Sequence, residues 1–256
     1  MFEEQVSRLY EYLRLKTSPV GIKLSKDAEE LLKHGKRPRQ KATICQLTSQ
    51  ARIWGRVLAA TLDDLICARG ATAIGFRDYP EDIASGERDY NRHFGTVEAG
   101  RLSISKVPKI ETRKYSAILV APLTRMPVEP DLVLVVGDSA QMLRLVQGIL
   151  WRDEEEGRLY FGSNGTQGVC ADAIANAMIT GRPSMGIPCY GARMFGGYKD
   201  DELVMAILLK FFDATVEGLM ESHKVGGMVY PIVTQGIDVT PYHPAALYVI
   251  QPEVKK

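Results

Sequence analysis

The chain has 256 residues, 45% hydrophobic and 25% charged, with 32 Lys and Arg against 31 Asp and Glu for a net charge of +1. That length and balance describe a globular chain able to bury a sizeable core without disulfide staples. No basic tract argues for nucleic acid and no apolar run approaches the ~18 residues of a membrane span. The opening MFEEQVSRLYEYLRL lacks the regions of a signal peptide, so the expected compartment is the cytoplasm, where thiols stay reduced.

In chain order, residues 2–15 place Phe2, Val6, Leu9, Tyr10 and Leu13 at helical spacing. SPVGIKLS (18–25) reads as a strand, 27–34 as a short helix, KRPRQKATIC (36–45) as a basic lead into a second strand, and 46–60 as a helix. ATAIGF (71–76) is a short apolar strand or turn. The polar, turn-rich stretch 77–100 is expected to be a mobile insertion or lid. Three strands follow, RLSISKV (101–107), YSAILVAPL (115–123) and DLVLVVGD (131–138); the last two are near-continuous apolar runs, as in strands buried on both faces. A helix over 139–150 starts from an N-cap at Asp138 or Ser139. RLYFGS (158–163) reads as a strand running into the loop GSNGTQG, which opens a helix at 170–180. A further helix spans 200–221, with DDE at 200–202 matched to its positive N-terminus. The extension 223–256 holds two β-like runs, MVYPIV and ALYVI, and could join copies of the chain into an oligomer.

All four cysteines fall in two similar segments: Cys45, Gly55-Arg56 and Cys67 in the first, and Cys170, Gly181-Arg182 and Cys189 in the second. Each segment follows a strand-helix-strand stretch, from PVGIKL in the first half and from DLVLVVGD in the second, so an internal duplication is expected. The fold class is then α/β (or α+β), two pseudo-symmetric lobes of about 1–125 and 126–222 with mixed sheets covered by helices. In a reduced compartment a four-cysteine pattern points to metal or catalysis rather than disulfides. The expected site is one built by Cys45, Cys67, Cys170 and Cys189 between the lobes. Thiolates in such a set suit a [4Fe–4S] cluster, with zinc as the alternative, although the spacings match neither a zinc ribbon nor the ferredoxin run.

Two other readings stand beside it. The cysteines can be small core residues, or Cys170 or Cys189 a lone nucleophile, but His34, His93, His223 and His243 lie in no recognisable catalytic motif. Arg56, Arg182 and Arg193 are candidates for holding an anion, as are the amides of Gly165, Thr166 and Gly168 at a helix start. No catalytic residue is assigned. The partners these readings imply are a small-molecule substrate or a redox protein. A metal-free module holding an anionic metabolite in the cleft is the second functional class.

Several stretches together resemble the archaeal and bacterial family named domain of unknown function 169. They are SPVGIKL (18–24), ICQ (44–46), CARGA (67–71), YSAILVAPL (115–123), EPDLVLVVGDSAQMLRLVQG (129–148), VCADA (169–173), PCYGAR (188–193) and DDEL (200–203). Where the family often has a proline after the second cysteine, this chain has Ala68. All four cysteines fall inside these motifs. The resemblance carries no reaction with it.

Overall fold

A computed structural model describes residues 2–232. The run ALYVI, His243 and most of the extension 223–256, with its expected part in oligomerisation, lie outside the described residues. Among the described residues no helix is long and apolar enough to cross a membrane.

Six strands form one sheet: β1 (Val20–Ser25), β2 (Leu58–Thr61), β3 (Ala117–Pro122), β4 (Leu132–Gly137), β5 (Ser184–Gly186) and β6 (Leu203–Leu208). Their order is β2-β3-β1-β4-β6-β5 and every pairing is antiparallel. The α/β class holds, but one antiparallel sheet replaces the expected mixed sheets. From the centre outward, residues before 126 contribute β1, β3 and β2, and residues after it β4, β6 and β5, the same order of first, third and second strand. The seam between these halves is short: β1 meets β4 only through Val20↔Leu134, Gly21↔Val133 and Ile22↔Leu132.

Helices cover both faces of the sheet, which is why β3 and β4 are buried at every position although the sheet is antiparallel. On one face α1 (Glu3–Leu13), α7 (Ser139–Leu150) and α10 (Leu209–Lys224) pack Leu9, Leu13, Leu145 and Phe212 onto Val133, Val135, Met205 and Ile207. Glycines let α7 and α10 touch: a Cβ at Gly218 would lie 2.3 Å from the Gly148 carbonyl oxygen. The short α2 (Ala28–Leu32) covers the rest of that side. The opposite face carries Ile22, Val120, Leu134 and Ala206 beneath α3 (Ile44–Trp54) and a π-helical turn over Gly168–Ala175, which continues into α8 (Asn176–Thr180).

Several expected elements change. The expected helix at 46–60 is α3, closed at Gly55 in the left-handed region (φ 67°), followed by β2. The stretch 71–76 is no strand: residues 71–73 end α4 (Ala68–Ala73), which Cys67 starts as N-cap, and 74–76 form the turn after it. RLSISKV is not a strand but the end of α6 (Val97–Ser105): its period-two alternation competes with Gly100, Ile104 and Val107 at helical spacing, and those bury. RLYFGS forms no strand, and Tyr160 and Phe161 are exposed. The expected helix at 200–221 is β6 followed by α10, because a strand buried on both faces reads as an unbroken apolar run. Glu202 therefore caps no helix. It receives both Nη atoms of Arg52 at 2.8 and 2.9 Å in a buried bidentate pair across the two halves. The stretch 77–100 is structured, with α5 (Glu81–Ala84), a 3₁₀ turn and the fully buried Asp89.

Candidate functional site

Each cysteine stands at the start of a different helix. Thr43 opens α3 with a reciprocal capping box to Gln46, so Cys45 falls in the first turn. Cys67 is the N-cap of α4, and its Sγ accepts from the Gly70 amide at 3.4 Å. Cys170 is in the first turn of the π-helical segment that follows the glycine loop. Cys189 is the N-cap of α9 (Tyr190–Gly196). Helix starts present unpaired amides and a positive dipole end, which favour thiolate over thiol. In both halves the helix bearing the first cysteine ends at a left-handed glycine, Gly55 (φ 67°) or Gly181 (φ 69°), and leads to an edge strand and then to the second cysteine.

The four cysteines line one pocket of about 240 Å³. Close backbone approaches bring them there. A Cβ at Gly168 would lie 1.6 Å from the Ile187 carbonyl oxygen and one at Gly186 2.0 Å from that of Gly168, so the glycine loop seats directly on the segment leading to Cys189. A Cβ at Gly196 would come within 2.8 Å of the Cys45 Cβ, so α9 closes on α3 only with glycine there.

The thiols differ sharply. Hydrogen bonding from Cys45, then the amides of Ala192 and Gly191, hold Cys189 at a pKa of about 6 against the opposing effect of burial. Its partner Cys45 is pushed well up by that same bond, by burial and by the neighbouring cysteines. Burial foremost, then Cys67 and Cys189, pushes Cys170 well up too. The free site therefore holds a thiolate at Cys189 near neutral pH, with a proton retained on Cys45 and Cys170.

The stretch 77–100 closes one side of the pocket. Tyr79 donates its hydroxyl to Gln167 Oε1 at 2.9 Å, Arg69 pairs with Asp89, and His93 lines the pocket with the cysteines. Burial raises Tyr79 to about 12, which keeps it a donor. The bond turns the other end of the Gln167 amide elsewhere, and Nε2 is buried without a partner, as is Arg69 Nη1. Both residues line the pocket, one from each half. Behind it, the Arg52 guanidinium lies 4.6 Å from the centroid of the buried Tyr198 ring, whose hydroxyl meets Thr48 Oγ1 at 2.8 Å.

Of the anion-site residues expected from the sequence, Gly165 and Thr166 line the pocket, and Gly168 backs its loop. The three arginines do not reach it. Arg56 is at the far end of α3, Arg182 is taken up by Asp153 and Glu155, and Arg193 donates to the Lys199 carbonyl. Arg69 and Gln167 stand in their place. Arg69 is two residues from Cys67, a proximity that outweighs the Gly-Arg repeat as a signal; Gln167 shows none beyond its seat in the glycine loop.

As arranged, no group of three or more His, Cys, Asp or Glu among the described residues can hold a metal ion. The donor chemistry is nonetheless soft: no carboxylate lines the pocket, and Arg69 and Gln167, each with one buried, unpartnered N–H donor, line it beside the four cysteines. Those features fit an iron–sulfur cluster, whose ligand sulfurs stand further apart than those around a lone ion and whose own sulfides accept hydrogen bonds.

The family model described as an uncharacterised ArCR, domain of unknown function 169, matches residues 8–218. The chain belongs to this family. It is also 33% identical over 205 residues to an uncharacterized protein of Methanocaldococcus jannaschii, an alignment covering 79% of this chain and 87% of that one. No solved structure matches. The matched span of the domain of unknown function 169 family contains all four cysteines, Arg69 and Gln167.

Proposed function

We propose that this protein is a cytoplasmic iron–sulfur protein that carries a [4Fe–4S] cluster on Cys45, Cys67, Cys170 and Cys189, in a redox or substrate-activating role. The observation behind this reading is that four cysteines, widely separated in sequence and each at a helix start, line a single pocket. A bound cluster supplies one-electron transfer when all four cysteines ligate it, or an open iron as Lewis acid when only three do. The protein's own part is to offset the charge of the thiolates with helix starts, to donate hydrogen bonds from Arg69 and Gln167, and to close the pocket with the 77–100 stretch. Zinc is the weaker alternative, since a tetrahedral ion with Zn–S near 2.3 Å needs sulfurs within about 3.8 Å of one another. The matched strand order and cysteine positions of the two halves support reading them as an internal duplication.

The test is anaerobic purification with iron, zinc and acid-labile sulfide analysis and a visible spectrum. About four iron and four sulfide per chain, with a shoulder near ~400 nm, is the expected result. Each Cys→Ser variant should lose iron, and one that keeps its full complement marks that cysteine as no ligand. The unpartnered Arg69 Nη1 and Gln167 Nε2 favour one other reading, a metal-free pocket that binds an anionic metabolite between those donors. Protein free of iron and zinc after anaerobic purification would favour it.

A further inference from the structure

A second concavity, of about 610 Å³, lies at the C-terminal end of α3, remote from the cysteines by the ~16 Å length of that helix. Lys33, Lys36, Arg37, Arg39, Arg56 and Arg125 line it, and no carboxylate does. In a chain of net charge +1 this is a marked local excess. Lys33 and Arg37 are partly compensated at the rim by Glu30 and Asp64, each at 2.7 Å. The other four have no carboxylate partner among the described residues: Arg56 donates to Gln50 Oε1 and lies over the Trp54 ring, and Arg125 donates to the Gly55 carbonyl.

The groove is preorganised. Lys36 is bonded to the edge strand β2 through its amide to the Val57 carbonyl at 3.1 Å and through its carbonyl to the Ala59 amide at 3.0 Å. Gly35 permits this approach, since a Cβ there would lie 2.7 Å from the Ala59 nitrogen. The backbone at Lys36 is thus fixed before any ligand arrives, which lowers the ordering cost of binding there.

We propose that this groove binds a compact polyanion carrying two or more linked phosphates. Four uncompensated cations match the three or four negative charges of a di- or triphosphate, whereas a single carboxylate would neutralise one. Arginine forks engage phosphate oxygens two at a time. The volume lies within the ~300–1,000 Å³ of small-molecule sites, and the concavity is unlike a flat protein interface. The uncharged lining includes Val57, Leu58 and Pro127 and no aromatic ring except that of His34, so recognition rests on the phosphates rather than on a stacked base.

The test is calorimetric titration of the full chain with inorganic tripolyphosphate, ATP, inorganic phosphate and a polyglutamate peptide, at about 50 and 200 mM salt. Tripolyphosphate should bind saturably, one to one, tighter than phosphate, and more weakly at the higher salt. ATP binding at least as tightly would show that the phosphate chain is recognised as part of a larger molecule. The pair Lys36→Gln with Arg39→Gln should weaken tripolyphosphate binding about tenfold, as two exposed charge pairs allow, with melting temperature unchanged. The control pair Lys26→Gln with Lys106→Gln should leave it unaltered. Absence of saturable binding, equal loss in the control pair, or polyglutamate binding as tightly as tripolyphosphate would each overturn the proposal.

Discussion

The depressed thiol of Cys189 can be tested by removing the group that holds it down. Cys45→Ala deletes the leading stabiliser of the thiolate, which has a pKa of about 6, and should return Cys189 towards the ordinary thiol value of ~8.5. At pH 7 the thiolate fraction then falls from about 0.9 to about 0.03, a roughly 30-fold loss. Nucleophilicity rises with basicity, however, and a Brønsted slope of ~0.4–0.5 over ~2.5 pH units returns a factor of about 10–18. The alkylation rate at pH 7 should therefore fall only about two- to threefold. The midpoint of the pH–rate profile is the decisive quantity. For iodoacetamide with metal-free, reduced protein, read at Cys189 by peptide mass, the midpoint should move from about 6 to above 8. A midpoint unchanged in Cys45→Ala would refute the assignment of the Cys45–Cys189 bond as its cause.

Other outcomes follow from neighbouring features. Gly196→Ala places a Cβ against Cys45 and should separate α9 from α3, moving the same midpoint upward. Cys170 is held protonated in the fold, so its contribution to the stability of the metal-free chain is fully present below the unfolded thiol value and lost as pH rises beyond ~8.5; melting curves from pH 7 to 10 should decline less steeply in Cys170→Ala. Arg52→Met strips the partner from buried Glu202 and should cost about 3–5 kcal/mol, or roughly 10 °C in melting temperature, while adding Glu202→Leu should recover much of the loss. Tyr79→Phe frees the Gln167 amide and should speed hydrogen exchange across 77–100 without altering the global melt.

The sequence was most legible where burial is simple. The runs at 115–123 and 131–138 became β3 and β4, and Asp138 capped α7 through Gln141, because a strand with both faces covered and a capping box are local signals. The same signal misled at 203–208, where an apolar strand joined directly to a helix reads as one long helix. The joint pocket of the cysteines was expected from the repeat, but its polar wall was not. Arg69 and Gln167 earn their place through Asp89 and Tyr79, partners 20 and 88 residues away. The basic groove was equally hidden, since residues 33–39 become a site only when the chain brings Arg56 and Arg125 alongside.

The three-residue ladder between β1 and β4 has a mechanical meaning. It is the weakest line of backbone bonding across the middle of the sheet, beside six-residue ladders on either side. Cys45 and Cys67 stand on one bank of that line, Cys170 and Cys189 on the other, as do Arg52 and Glu202. Anything gripped by all four sulfurs acts as a rivet through a scored plate. Its removal would register first as loosened amides in β1 and β4, before any change in the outer strands.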